Sequence, residues 1–90
     1  MPKFLANIEV TLRPSVLDPA GEAARAAAHR LGVEGVSHLR IGKAISLELE
    51  AQNENDARQK VELLCDRLLA NPVIENWDLS LKELSNVDPI

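Results

Sequence analysis

Tyrosine is absent from this sequence, and Phe4 and Trp77 are its only aromatic residues. So few rings cannot build a stacking platform for bases, and a net charge of −4 repels phosphate backbones, so nucleic-acid binding is not expected. Cysteine occurs once, at Cys65, which rules out an internal disulfide framework or a paired thiol site and fits a reducing compartment. No apolar run is long enough for a signal peptide or a membrane helix: Met1-Pro2-Lys3-Phe4-Leu5-Ala6-Asn7 passes directly into alternation. The expectation is a cytoplasmic protein without membrane contact. Glycine is sparse, and Gly32 and Gly35 stand at neither nucleotide-binding spacing, so no phosphate loop is present.

What remains is an aliphatic chain of 90 residues, enough for one domain. A chain of this size buries only roughly 60–65% of its unfolded surface, so a partner surface would add usefully to its stability.

Apolar Phe4, Ala6, Ile8, Val10 and Leu12 alternate with Asn7, Glu9, Thr11 and Arg13 between them, the two-residue period of a strand with one buried face. Pro14 ends it, because proline cannot donate to a ladder. Asp18-Pro19 is a helix start, with Asp18 as cap and Pro19 at the first helical position, where a missing N–H is harmless. Ala20, Ala23, Ala24, Ala27, Ala28 and Leu31 form one helical stripe, which predicts a helix lying close to the sheet. Gly32 suits the helix end.

Ser37, Leu39 and Ile41, then Ile45, Leu47 and Leu49, all fall on odd positions. They predict two strands joined as a hairpin through Gly42-Lys43-Ala44, with Leu39 opposite Leu47 and His38 opposite Glu48, since a two-residue loop would mix the faces. Asn53 caps a second helix, with Asp56 three residues on as a short capping box. Its stripe is Ala57, Val61, Leu64, Cys65 and Leu68, and Glu54–Arg58 and Asp56–Lys60 are i,i+4 pairs on the wet side. After Asn71-Pro72, Trp77, Leu79 and Leu81 mark a last strand. The tail 83–90 carries no periodic signal and is expected to be loose.

This order predicts an α+β, ferredoxin-like β-α-β-β-α-β domain over residues 1–82. Its antiparallel four-stranded sheet has order 4-1-3-2, with both helices on one face.

Chemistry is sparse along it. His29 and His38 lie at no ligand spacing with another donor. Glu48 and Glu50 share the outer side of a strand, where acids usually serve solvation. Cys65 sits on an apolar stripe and reads as a buried, inert thiol. Arg13, Ser15 and Asp18 surround a helix N-terminus, which attracts anions, but Asp18 puts a negative charge where an anion would sit, so a capped turn is the reading. Neither a metal site nor a catalytic constellation is expected.

Four runs together carry a family pattern: Val16-Leu17-Asp18-Pro19-Ala20-Gly21; Leu31-Gly32-Val33-Glu34-Gly35-Val36 leading to Arg40-Ile41-Gly42-Lys43; Ile45-Ser46-Leu47-Glu48-Leu49-Glu50; and Leu68-Leu69-Ala70-Asn71-Pro72-Val73-Ile74-Glu75. In this order and spacing, across about residues 4–82, the chain resembles the PurS family, the small non-catalytic subunit of phosphoribosylformylglycinamidine synthase in purine biosynthesis. It departs in Trp77, where another aromatic, often Tyr, is usual, and in Pro14. The resemblance implies a subunit of an ATP-dependent carbon–nitrogen ligase that uses glutamine as amide donor, with no catalytic residue of its own. It implies a homodimer joining a glutaminase subunit to a large amidoligase subunit and helping ammonia pass between them. ATP, Mg and glutamine would be used by the partner subunits, and no cofactor by this one. The candidate partner contacts are Arg13, Asp18, Arg40, Lys43 and Asn71.

The alternative is an ACT-like small-molecule regulatory module, which shares the element order but is normally attached to an enzyme. An acylphosphatase-like hydrolase would need a Gly-rich cradle where Arg13-Pro14-Ser15 stands.

Overall fold

Alternation along the first strand is realised residue for residue in a computed structural model that describes residues 1–84. Phe4, Ala6, Ile8 and Val10 are at most 1% exposed along β1 (Lys3–Leu12), with Asn7 and Glu9 exposed between them. β1 is the central strand. It pairs antiparallel on one side with β2 (Lys43–Glu50) and on the other with β3 (Glu75–Leu84), so Ile8 stands between Ile45 and Leu79. Glu83 and Leu84 lie opposite Phe4 and Lys3 and close β3, two residues beyond the expected strand end; the rest of the expected loose tail lies outside the described residues.

α2 (Glu54–Leu64) covers the apolar face. Ala57 and Val61 are fully buried on it, and Cys65 just beyond, packing against Phe4 and Ala51 or against Ala6, Ile8 and Val10. The capping box is formed: Asn53 Oδ1 accepts from Asp56 N at 2.8 Å, and Asp56 Oδ2 accepts from Gln52 N at 3.0 Å. Lys60–Asp56 and Arg58–Glu54 pair at 3.2 and 3.9 Å as expected. The helix then widens into one π-helical turn, Cys65–Leu69, in which Ala70 N reaches back to Cys65 O. The wider turn rotates the stripe. Leu68, expected in the core, is 73% exposed, and Leu69 and Ala70 pack there instead.

Among the described residues the sheet has three strands, in the order β2-β1-β3, where four were expected. The three keep their expected relative order. The missing one is Ser37–Ile41: residues 33–42 carry no regular structure, and the Gly42-Lys43-Ala44 hairpin does not form. Lys43 and Ala44 already belong to β2, opposite Val10 and Glu9. The cause is local. Ile41 N donates to Asp18 Oδ2 at 2.9 Å and the Arg40 guanidinium holds carbonyls of the β1–α1 loop, so the segment is tied to that loop rather than folded back along β2.

α1 (Pro19–Arg30) begins as expected, capped by Asp18. It does not lie on the sheet, contrary to the expectation from its alanine stripe. Only Gly21 is buried on it; Ala24, Ala27 and Ala28 are half-buried, Ala20 and Ala23 exposed, and Leu31 beyond it is 82% exposed. The molecule is accordingly long, 51 × 31 × 15 Å, with a radius of gyration of 17.1 Å where about 12 Å suits a compact chain of this length.

Candidate functional site

Asp18 is the hub of the one place where the charged candidates meet. It is 5% exposed although it sits in a loop. Its Oδ1 accepts from Gly21 N and its Oδ2 from Ile41 N, both at 2.9 Å, so one carboxylate caps α1 and pins the strand-like segment before β2. Gly21 permits this closeness: a Cβ there would run into the Leu39 carbonyl and the Asp18 carboxylate. Gly42 has the same role against the Val10 carbonyl.

Arg40 gathers the loop from the other side. Its Nη2 donates to Arg13 O at 2.7 Å, Val16 O at 3.1 Å and Leu12 O at 3.4 Å. These are the carbonyls that the chain leaves without ladder partners as it departs from β1. Arg13 in turn donates through Nη2 to Pro72 O at 2.5 Å, and its own N–H goes to Ile74 O at 2.8 Å, which ties the loop to the approach of β3. Asn71 shapes that approach, its Oδ1 accepting from Val73 N and its N–H donating to Glu75 Oε1.

Arg13, Asp18 and Arg40 are thus brought into one junction, with Asn71 one residue from it through Pro72. Lys43 stands two residues past Ile41, exposed at the head of β2. All five candidates lie at the same end of the sheet, where β1 finishes and β2 and β3 begin. A hollow of about 460 Å³ opens there, lined by Thr11, Leu12, Pro14, His38, Arg40 and Asn76. Leu17, Ile41, Val73 and Ile74, between 37% and 77% exposed, stand in the same loops. An apolar fringe on a frame of fixed loops is the composition of a docking surface.

Sequence reasoning missed Gly21 and the carbonyls that Arg40 and Arg13 hold. Glycine in a first helical turn, where it weakens a helix, was the available signal for Gly21; the carbonyls carry none.

The electrostatics favour a latch over an anion site. The Ile41 N–H first, then the Gly21 N–H, hold the Asp18 carboxyl below its ordinary 3.8, with Arg40 adding to the effect and desolvation opposing it. An ionised carboxylate already fills the α1 N-terminus. Because its pKa is lowered on folding, the stability it contributes is present above about pH 4 and is lost as pH falls through the folded value. The Ile41 and Gly21 amide resonances should therefore titrate together below that pH in an NMR series, and both should be pH-independent in Asp18→Asn.

Elsewhere the chemistry stays sparse. Burial pushes the Cys65 thiol up, with Asp66 and Glu62 adding to the shift, so it is held protonated in the core. His29, His38, Glu48 and Glu50 are exposed. Trp77 is half-buried, packing against the core cluster with its Nε1 donating to Asp66 Oδ1 at 3.2 Å. Among the described residues no group of three or more His, Cys, Asp or Glu side chains could hold a metal, and no helix is long and apolar enough to cross a membrane.

Residues 5–83 match the model of a family described as PurS, phosphoribosylformylglycinamidine (FGAM) synthase. The phosphoribosylformylglycinamidine synthase subunit PurS of Synechocystis is 54% identical over 81 residues, 90% of this chain and 81% of that one. The corresponding subunit of Thermotoga maritima is 39% identical over 88% of this chain and 96% of its own. Among solved structures, that of PurLQS from Thermotoga maritima contains a chain matching with a TM-score of 0.81 at 39% identity, over 93% of this chain and all of that one. Bacillus subtilis PurS matches with a TM-score of 0.79 at 35% identity, over 89% and 99%.

Proposed function

This chain belongs to the PurS family of phosphoribosylformylglycinamidine synthase subunits, and we propose that in that glutamine-dependent ligase it is the non-catalytic adaptor. In this reading it joins the glutaminase subunit to the ATP-dependent amidoligase subunit in the cytoplasm and helps ammonia pass from one to the other. It works as a homodimer. ATP, Mg and glutamine are handled by the other subunits, and this chain binds none of them.

The observation that carries the reading is the match to a chain of the PurLQS structure, over 93% of this chain and all of that one. The junction supports it physically. Arg13, Asp18 and Arg40 spend their polar groups on fixing loops at one end of the sheet, which makes a rigid platform rather than a reacting centre. Mixing the purified chain with the amidoligase and glutaminase subunits tests it. Glutamine-driven amidine formation should need this chain, while ammonia-driven formation by the amidoligase should proceed without it. Full glutamine-driven turnover in its absence would overturn the adaptor role.

A further inference from the structure

The hollow at the end of β1 has a polar lining of one chemical kind. Thr11 and Asn76 stand directly opposite each other on β1 and β3, on the polar face of the sheet. His38 and Arg40 come in from the segment that precedes β2, and Leu12 and Pro14 supply the apolar part. All four polar side chains donate: a hydroxyl, an amide, an imidazole and a guanidinium. No carboxylate lines the space, in a chain whose net charge is −4. The acids whose fields involve Arg40 and His38 are Asp18 and Glu22, and both are already committed. Asp18 serves Gly21 N and Ile41 N, and Glu22 pairs with Arg25 at 2.9 Å.

The donors are held in place and unspent. Arg40 makes its bonds to Leu12 O, Arg13 O and Val16 O through Nη2 alone. The guanidinium is thereby fixed, while its Nη1 and Nε N–H groups have no partner among the described residues. The side chains of Thr11, His38 and Asn76 likewise make no hydrogen bond to any described residue.

We propose that this hollow binds the phosphoryl group of a small phosphate monoester. Arg40 supplies the positive charge, and Thr11, His38 and Asn76 supply hydrogen bonds to separate oxygens. Donors arriving from three stretches of chain suit an anion with three free oxygens better than a planar carboxylate with two. The space, about 460 Å³, is larger than a phosphoryl group, and Leu12 and Pro14 offer an apolar wall to a short carbon body. That surplus favours an ester over the free ion. The site is separate from the N-terminus of α1, which the Asp18 carboxylate occupies. It is also independent of the adaptor role, because none of its free donors is spent on holding the loops.

Titration of the isotope-labelled full chain with glycerol 3-phosphate at constant ionic strength, followed by NMR, tests this. Saturable shifts should appear at Thr11, His38, Arg40 and Asn76, with half-saturation in the millimolar range that an open site allows. Inorganic phosphate should bind more weakly, and acetate more weakly still. Asn76→Asp keeps the shape of the side chain and sets a carboxylate against the anion, so it should weaken binding about tenfold or more. Thr11→Val, which removes one hydroxyl from an exposed strand position, should weaken it severalfold. Shifts that rise linearly without saturating, that acetate reproduces, or that persist unchanged in both variants would overturn the site and leave the adaptor role standing. Tighter binding of inorganic phosphate than of the ester would overturn the assignment to a monoester.

Discussion

Ile8→Ala should remove about 2–5 kcal/mol of folding stability. Ile8 is 1% exposed at the middle of the central strand, between Ile45 and Leu79, in the cluster that also contains Val61 and Cys65. Truncation deletes three buried carbons where neighbours on two strands and a helix cannot all collapse inward. A chain of 90 residues has roughly 5–13 kcal/mol in total, so this one change would take a large share. Denaturant midpoints at fixed protein concentration measure it, with Leu68→Ala as the internal comparison. Leu68 fits the same helical stripe by sequence, but the π-helical turn leaves it 73% exposed, and its truncation should stay within about 0.5 kcal/mol. Equal costs at the two positions would show that the turn does not rotate Leu68 out of the core.

Arg40→Glu should weaken assembly, of the chain with itself or with its partner subunits, by about tenfold or more. The change discards charged hydrogen bonds to Leu12 O, Arg13 O and Val16 O and brings a carboxylate against the same carbonyl oxygens. Losing hydrogen bonds from a charged group costs about 1.5–3 kcal/mol; these bonds lie within the chain, so the cost falls on the loop conformation that assembly requires, at a factor of ten in affinity for each 1.4 kcal/mol. Arg58→Glu is the matched control. Arg58 reaches Glu54 at 3.9 Å on the exposed side of α2, a contact worth only about 0.3–0.5 kcal/mol. Light scattering with and without the amidoligase and glutaminase subunits separates the two variants, and indistinguishable behaviour would remove Arg40 from the interaction surface.

Most elements were legible because their signals are local. Asp18-Pro19 and Asn53 with Asp56 marked helix starts through capping chemistry confined to four residues, and both caps form. Alternation in β1 gave the buried face correctly because a strand has only two sides. The failures occur where the outcome depends on something beyond the segment. Ser37–Ile41 and the stripe of α1 show that those segments have a face to bury, but periodicity is silent about what lies against it. The π-helical turn was invisible for a related reason: a single extra residue per turn leaves composition unchanged while moving every later side chain. At the junction, Arg13, Asp18 and Arg40 could be picked out by charge and by position around a helix start. Their partners could not, since a carbonyl of Pro72 or Val16 is chemically the same as any other.

That last property has an evolutionary side. Asp18 and Arg40 grip peptide groups, at Gly21, Ile41, Leu12, Arg13 and Val16, rather than particular side chains. Positions 12, 16 and 41 can therefore change size, polarity or charge without releasing the hold, whereas positions 18, 21 and 40 cannot. Mutational drift is thereby channelled outward, onto side chains that a neighbouring protein would touch. A chain built this way can follow a changing partner, substitution by substitution, while the loops that present those side chains keep their course.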